Sequence, residues 1–191
     1  MGNIRLNRYI ISQIPSELKT DRLILRPLTR DDFVDFFSFI RDEKSTRYLS
    51  FTKEQKTYKG ARELLDLIVD RYGTENQIFL LAVIRQHDKK YVGTVGLFPI
   101  KISRNAEIFY SLISKYQGKG YASEASFRLL EYAFAELGME RVVAYIFPHN
   151  MPSAKVAERI RMKDRGYVLR KQHGRQVRLK LYSIARNEFF T

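Results

Sequence analysis

The residue types best suited to chemistry are concentrated in one short stretch. Gly118-Lys119-Gly120 follows a strand-like run and opens directly into a strong helical pattern. A turn of this kind leaves backbone N–H groups unpaired and aimed outward, where the helix dipole also favours negative charge. Gly118 and Gly120 have no Cβ to hold a phosphate away from the backbone, and Lys119 adds a positive charge beside them. The turn is therefore either a seat for a phosphate or diphosphate or a plain structural connection. Two widespread phosphate motifs are excluded. Lys119 is followed by Gly120 rather than Ser or Thr, which rules out a P-loop, and Gly118 to Ser123 lacks the third small-residue spacing of the dinucleotide fingerprint.

The other candidates lie on the flanking elements. Glu107, on the strand before the turn, is a carboxylate suited to proton transfer or simply part of a solvated face. Asn150 and Ser153 open a later helix, where such residues commonly cap the free N–H groups. Tyr110 and Tyr182 sit at strand positions, where they line a cleft or pack the core. The three histidines, His87, His149 and His173, are far apart with no i, i+4 pairing, and no cysteine is present. A disulfide framework, a thiolate metal site and a cysteine nucleophile are thereby excluded, and no metal is expected.

Periodicity supplies the elements that must position these residues. Leu23 to Leu25 is a short strand ended by Pro27, and Thr29 stands three residues before Asp32 as a capping pair for a helix over about 30–41. Tyr58, Ala61, Leu64, Leu65, Ile68 and Tyr72 mark one face of a second helix, with Gly73 at its C-terminal cap. Ile78 to Ile84 and Tyr91 to Phe98 form a hairpin, and 105–113 continues the sheet. After the glycine turn, Ala122, Ala125, Ser126, Leu129, Leu130, Ala133, Phe134 and Leu137 form the buried stripe of a long helix closed by Gly138. A strand over 141–147, a helix over about 152–163 and a strand pair, 166–169 with 177–184, complete the order βααβββαβαββ. The expected organisation is an N-terminal extension, 1–19, and one α/β domain, 20–191, with a mixed, mostly antiparallel sheet flanked by helices.

The chain has 191 residues, 45% hydrophobic and 29% charged, which suits one folded domain and excludes disorder. Its longest wholly apolar run, Ile78 to Ile84, is far short of the about 20 residues that span a bilayer. No signal-peptide core or myristoylation pattern is visible at the start, so the expected address is the cytoplasm and no membrane partner is expected. The formal charge of +13 is uneven: from Lys155 to Lys180 there are ten Lys and Arg against two acidic residues. This segment is either a solvated face or a field for an acidic partner, RNA or the ribosome.

In this setting Gln117-x-x-Gly120-x-Ala122 resembles the diphosphate loop of the GNAT acetyltransferases, which bind acetyl-coenzyme A. Ala106-Glu107-Ile108-Phe109-Tyr110 followed by Tyr116 to Ala125 resembles the Rim-type branch, whose founding members acetylate the N-termini of ribosomal proteins. Thr20 to Arg26 resembles that branch's opening strand, and Asn150-Met151-Pro152-Ser153 its Asn-x-x-Ser helix start. The resemblance covers about 18–184 and implies an N-acetyltransferase that moves an acetyl group from acetyl-coenzyme A, as co-substrate, directly to a primary amine of a protein N-terminus or a small molecule. It implies cofactor contacts from Ile113, Gln117, Gly118, Lys119, Gly120, Tyr121, Ala122, Ser123, Asn150 and Ser153. By the same resemblance Glu107 is the base, and Ser153 donates a proton or hydrogen bond to the sulfur. Three departures stand out: Arg161-Met162 replaces the branch's Gly-Phe, so the helix is expected to run on toward Gly166; Ala157 stands where many members place a Tyr acid; and Arg178 precedes Tyr182 where an Asp is common. The alternative is a non-catalytic protein of the same fold that binds acetyl-coenzyme A or RNA, and the chain is either a monomer or a homodimer.

Overall fold

The computed structural model describes residues 14–100, 104–172 and 174–191. Most of the expected N-terminal extension, and His173, lie outside the described residues. The elements are β1 (Leu18–Lys19), β2 (Leu23–Pro27), α1 (Phe33–Arg41), α2 (Glu43–Thr46), α3 (Tyr58–Arg71), β3 (Phe79–Arg85), β4 (Tyr91–Ile100), β5 (Asn105–Leu112), α4 (Tyr121–Ala135), β6 (Arg141–Ile146), α5 (Met151–Arg159), β7 (Lys163–Gln172), β8 (Arg175–Ala185) and α6 (Arg186–Phe189). They build one eight-stranded sheet of order β1-β2-β3-β4-β5-β6-β8-β7, in which only β5 and β6 run parallel. Parallel neighbours need a long crossover, and α4 supplies it.

The helices cover both faces of the sheet. Phe36, Phe39 and Ile40 of α1 and Leu65 of α3 are fully buried on one side, and Leu129, Leu130 and Phe134 of α4 on the other. Each such side chain contributes about 1.5–3 kcal/mol through its removal from water. The central strands β3 and β4 are buried on both faces and read as nearly continuous apolar runs.

Three differences from the sequence expectation have physical causes. The sheet starts at Leu18, because the two-residue β1 pairs with β2 through Leu18↔Leu25 and Lys19↔Ile24. Helix α5 stops at Arg159, well short of Lys163 or Gly166, because Arg161 adopts the left-handed conformation at φ 66° and donates its N–H to the Glu158 carbonyl. Arg161 thus takes the helix-ending backbone role that glycine usually fills, and Met162 is buried behind it. Strand β7 accordingly begins at Lys163, and its edge position leaves Lys163 to Tyr167 exposed with no alternation to mark it.

Candidate active site

Among the described residues, strands β5 and β6 pair through Asn105↔Arg141, Ala106↔Val142 and Glu107↔Val143. Beyond Glu107 they separate, so the facing edges of both strands carry free backbone N–H and C=O groups. A cleft of about 1090 Å³ occupies this opening, lined by residues of β5, β6, the glycine turn, α2 and the start of α5. An extended ligand bearing amides can satisfy such edges as a third strand would.

The glycine turn closes one end. Gly118 and Gly120 sit at φ 78° and φ 83°, a conformation that costs other residues about 1–2 kcal/mol. A Cβ on Gly118 would point into open space, so the way to the backbone there is clear. The N–H groups from Gly118 through Ser123 make no hydrogen bond to the described residues, and the Ser123 hydroxyl is buried without a partner. Unpaired donors at the N-terminus of the 15-residue α4 fit an anionic diphosphate.

The turn is held from several directions. Gln117 donates through Nε2 to the Leu112 carbonyl at 2.9 Å, which ties the turn to the end of β5. A bulge places Val92 as an extra residue in β4, since Ile84 faces Tyr91 and Val83 faces Gly93; the Val92 carbonyl accepts from Ile113 N–H at 3.0 Å. Asp42, between α1 and α2, accepts from Ser114 N–H at 2.8 Å and from the Ser45 hydroxyl at 2.8 Å. Burial alone would raise the Asp42 carboxyl, but these donors bring it down to about 2. Arg22 donates to the Lys119 carbonyl at 3.1 Å and to Glu124 Oε2 at 2.7 Å, and its guanidinium lies 4.7 Å from the Tyr121 ring centre. Of the expected cofactor residues, Gln117, Gly118, Gly120, Tyr121, Ala122, Ser123, Asn150 and Ser153 line the cleft. Ile113 and Lys119 do not: Ile113 is buried as an anchor of the turn, and the Lys119 ammonium points toward the Tyr116 ring. Arg22, which the sequence marks only as a flank of the first strand, holds the turn.

The opening has two faces. On β5, Glu107, Phe109 and Ser111 point to one face and Ile108, Tyr110 and Leu112 to the other. The first face is the side of α1 to α3, because the Ser111 hydroxyl donates to the Ser45 carbonyl of α2 at 2.8 Å. There Glu107, last of the paired residues, accepts from Arg170 Nη1 of β7 at 2.8 Å. Arg170 is itself seated on Tyr145 of β6, 3.9 Å from the ring centre. The pair is part-exposed and contributes little stability, about 0–1 kcal/mol; its value is that it fixes where the carboxylate points. Tyr48, Phe147 and His149, which line the same cleft, form an aromatic cluster with ring centres 5.5–5.8 Å apart.

On the opposite face the Tyr110 hydroxyl donates to the Ser153 carbonyl at 2.9 Å, and the Ser153 hydroxyl donates to Tyr110 Oη at 3.2 Å. Burial pushes the Tyr110 phenol up to about 12, against a smaller lowering by Ser153, so it stays protonated at neutral pH. Asn150 caps α5 by accepting from Ser153 N–H at 3.3 Å and also faces the cleft. Tyr110 thus lines the cleft on the same face as Ser153, whereas Tyr182, fully buried and bonded to Glu158, packs the core. His87 contacts Asp88, and His149 belongs to the aromatic cluster, so these two histidines do not meet.

Comparison with known proteins agrees with this geometry. The chain is 29% identical over 175 residues to the uncharacterized N-acetyltransferase p20 of Bacillus licheniformis, covering 90% of this chain and 97% of that protein. A GNAT-family acetyltransferase structure from Bacillus anthracis superposes with a TM-score of 0.77 at 25% identity, covering 90% of this chain and 99% of its own. The ribosomal-protein-S5-alanine acetyltransferase structure from Vibrio fischeri shares the fold, with a TM-score of 0.73 at 21% identity over 91% of this chain and 98% of that one. The acetyltransferase (GNAT) domain model matches residues 22–163, from the arginine that holds the glycine turn to the first residue of β7. With most of its length matched, this chain belongs to the GNAT acetyltransferases and is an acetyl-coenzyme A-dependent acyltransferase.

Proposed function

We propose that this enzyme acetylates a primary amine, with the acceptor entering from the α1 to α3 face and the thioester lying in the opening between β5 and β6. The observation that carries this reading is the division of the two polar groups. A carboxylate, Glu107, stands at the apex on one face, and a protonated hydroxyl pair, Tyr110 and Ser153, stands on the other. Bound acetyl-coenzyme A supplies the activated acetyl group.

The residues of the chain then have separate tasks. The N–H groups of the glycine turn hold the diphosphate and so place the thioester at a fixed depth, which turns an encounter between two reactants into a local one. Glu107, directly or through one water, takes the proton that the amine loses as its nitrogen bonds to the acetyl carbon. A terminal α-amine has a pKa of about 8, so only a modest assistance is needed near neutral pH. As the carbon–sulfur bond breaks, the sulfur takes a proton from the Ser153 hydroxyl, which turns from Tyr110 Oη to do so and is reprotonated from water in the cleft, while Tyr110, through its bond to the Ser153 carbonyl, positions the serine. Arg170 aims Glu107 and leaves its carboxylate in one orientation.

An acetyl-transfer assay that follows thiol release and acetylated product across N-terminal peptides, polyamines and aminoglycosides tests this reading. Transfer to at least one amine class, lowered about tenfold or more by Ser153→Ala or Tyr110→Phe with acetyl-coenzyme A affinity retained, is the expected result. Tight acetyl-coenzyme A binding with no product from any amine would make the protein a non-catalytic binder.

A further inference from the structure

The acceptor face of the cleft has a chemistry of its own. Phe98 of β4 lies directly across from Glu107 in the sheet, and its ring stacks on that of Phe109 with centres 5.2 Å apart. Gly96, the cross-strand partner of Phe109, makes room for this arrangement, because a Cβ there would lie 2.5 Å from the Phe109 ring. Phe98 is 45% exposed, unusual for a phenylalanine on a central strand. Leu49, Phe51, Leu64 and Ile78 also line this cleft, so the carboxylate opens onto an apolar trough rather than onto solvated polar groups. Along the same face, Thr94 Oγ1 is buried without a hydrogen-bond partner among the described residues.

The charges around the trough exclude one class of amine. Glu107 is the acidic side chain of the cleft lining, and its Oε2 is already taken by Arg170. Lys44 and Arg47 line the same cleft without an ion pair to any described residue. A second ammonium on the acceptor therefore finds cations and aromatic carbon, with no further carboxylate among the described residues of the cleft lining to receive it. We infer, on the basis of the function proposed above, that the acceptor is a monoamine whose amino group is attached to a large apolar body, and that Phe98 and Phe109 form the platform on which this body lies. A polyamine or an aminoglycoside is the wrong chemistry for this site.

The test compares kcat/KM for peptides that differ only in an N-terminal Phe, Leu or Ser, for phenethylamine, and for spermidine. The Phe and Leu peptides are expected to exceed the Ser peptide by about tenfold or more, with spermidine lowest. Phenethylamine as good as the Phe peptide would identify a small aromatic amine as sufficient; a much poorer one would place the peptide backbone in the recognised unit, and either agrees with the inference. Phe98→Ser, at a half-exposed position where folding is retained and can be checked by thermal melting, is expected to collapse the Phe-to-Ser ratio toward one, and Phe98→Leu to restore part of it. A Ser peptide or spermidine equal to or better than the Phe peptide overturns the inference, as does a ratio unmoved by Phe98→Ser. Acetyl-coenzyme A binding with no amine acetylated overturns the proposed function itself, an outcome distinct from the wrong amine being preferred.

Discussion

The two ends of the cleft are built in opposite ways. At the end proposed to hold the cofactor's diphosphate, the donors are consecutive backbone N–H groups from Gly118 through Ser123, supplied by one short stretch of chain. At the end proposed to receive the acceptor, Glu107 from β5 with its partner Arg170 from β7, Phe98 from β4 and Tyr48 from the segment after α2 reach one cleft from across the sequence. A backbone-made site is sensitive to φ angles and to any added Cβ, and tolerant of side-chain identity at the positions between its glycines. A site made from side chains of distant strands depends instead on rotamers and on the sheet that spaces them. Damage at one end should therefore register in acetyl-coenzyme A affinity and damage at the other in turnover and acceptor choice.

The sharpest way to break that contrast is Gly120→Glu. The residue lies at φ 83°, its Cβ would stand 3.3 Å from Arg22 Nη2, and the added carboxylate would repel a diphosphate. Acetyl-coenzyme A affinity measured by calorimetry is expected to fall by about two orders of magnitude or more, since the strain and the lost contact act together. Unchanged affinity would remove the glycine turn from cofactor binding.

A smaller effect is expected at the latch that holds the turn. Arg22→Ala removes the bonds to Lys119 and Glu124 and the contact with Tyr121, without touching the N–H donors themselves. Affinity for acetyl-coenzyme A should fall about threefold to tenfold through a looser turn, with the acceptor preference unchanged. A change in acceptor preference instead would mean that the two ends are not separable.

Asp42 links the two regions, because it joins the α1–α2 junction to Ser114 before the turn. Its folded pKa of about 2 lies below the usual 3.8, so the carboxylate stabilises the fold above about pH 4, and this contribution disappears as the pH falls toward 2. Acid unfolding of Asp42→Asn, followed by circular dichroism, should begin from a lower stability at neutral pH and show a shallower decline over that window. An identical decline in both proteins would mean that Asp42 does not contribute.

The smallest effect is reserved for Arg161→Gly. Glycine relieves a left-handed arginine, worth about 1 kcal/mol, but gives up the contact from Arg161 Nη1 to the Phe189 carbonyl at 3.3 Å and gains unfolded-state entropy. These terms nearly cancel, so the melting temperature should move by only a few degrees and acetyl-coenzyme A affinity not at all. A large loss would show that the arginine side chain, rather than the backbone turn, holds the end of α5.

How much was legible follows the same division. The cores of α3 and α4, the β3–β4 hairpin and the glycine turn are visible because their signals are local: a helical period, a run of β-branched residues, two glycines before a helix. The β1 strand has two residues and no period to detect, and β7 is an edge strand whose charged outer residues do not alternate. The end of α5 was missed because a left-handed arginine has no sequence signature that separates it from a helical one. Glu107 was legible by resemblance, but its partner Arg170 lies 63 residues away and appears in the sequence only as one cation within a basic segment. For Tyr110 the sequence leaves open whether it lines a cleft or packs the core, because its pairing with Ser153 depends on how far β5 and β6 separate, which no local pattern records.

The division between the two ends is tested most directly by Glu107→Gln, measured for acetyl-coenzyme A affinity by calorimetry and for turnover by thiol release on one preparation. The substitution keeps the size of the side chain and removes its capacity to take a proton. The account predicts an affinity within about twofold of wild type and a turnover lowered by about 10²–10⁴-fold across the neutral pH range. Wild-type turnover, or a loss of affinity as large as the loss of turnover, would contradict it.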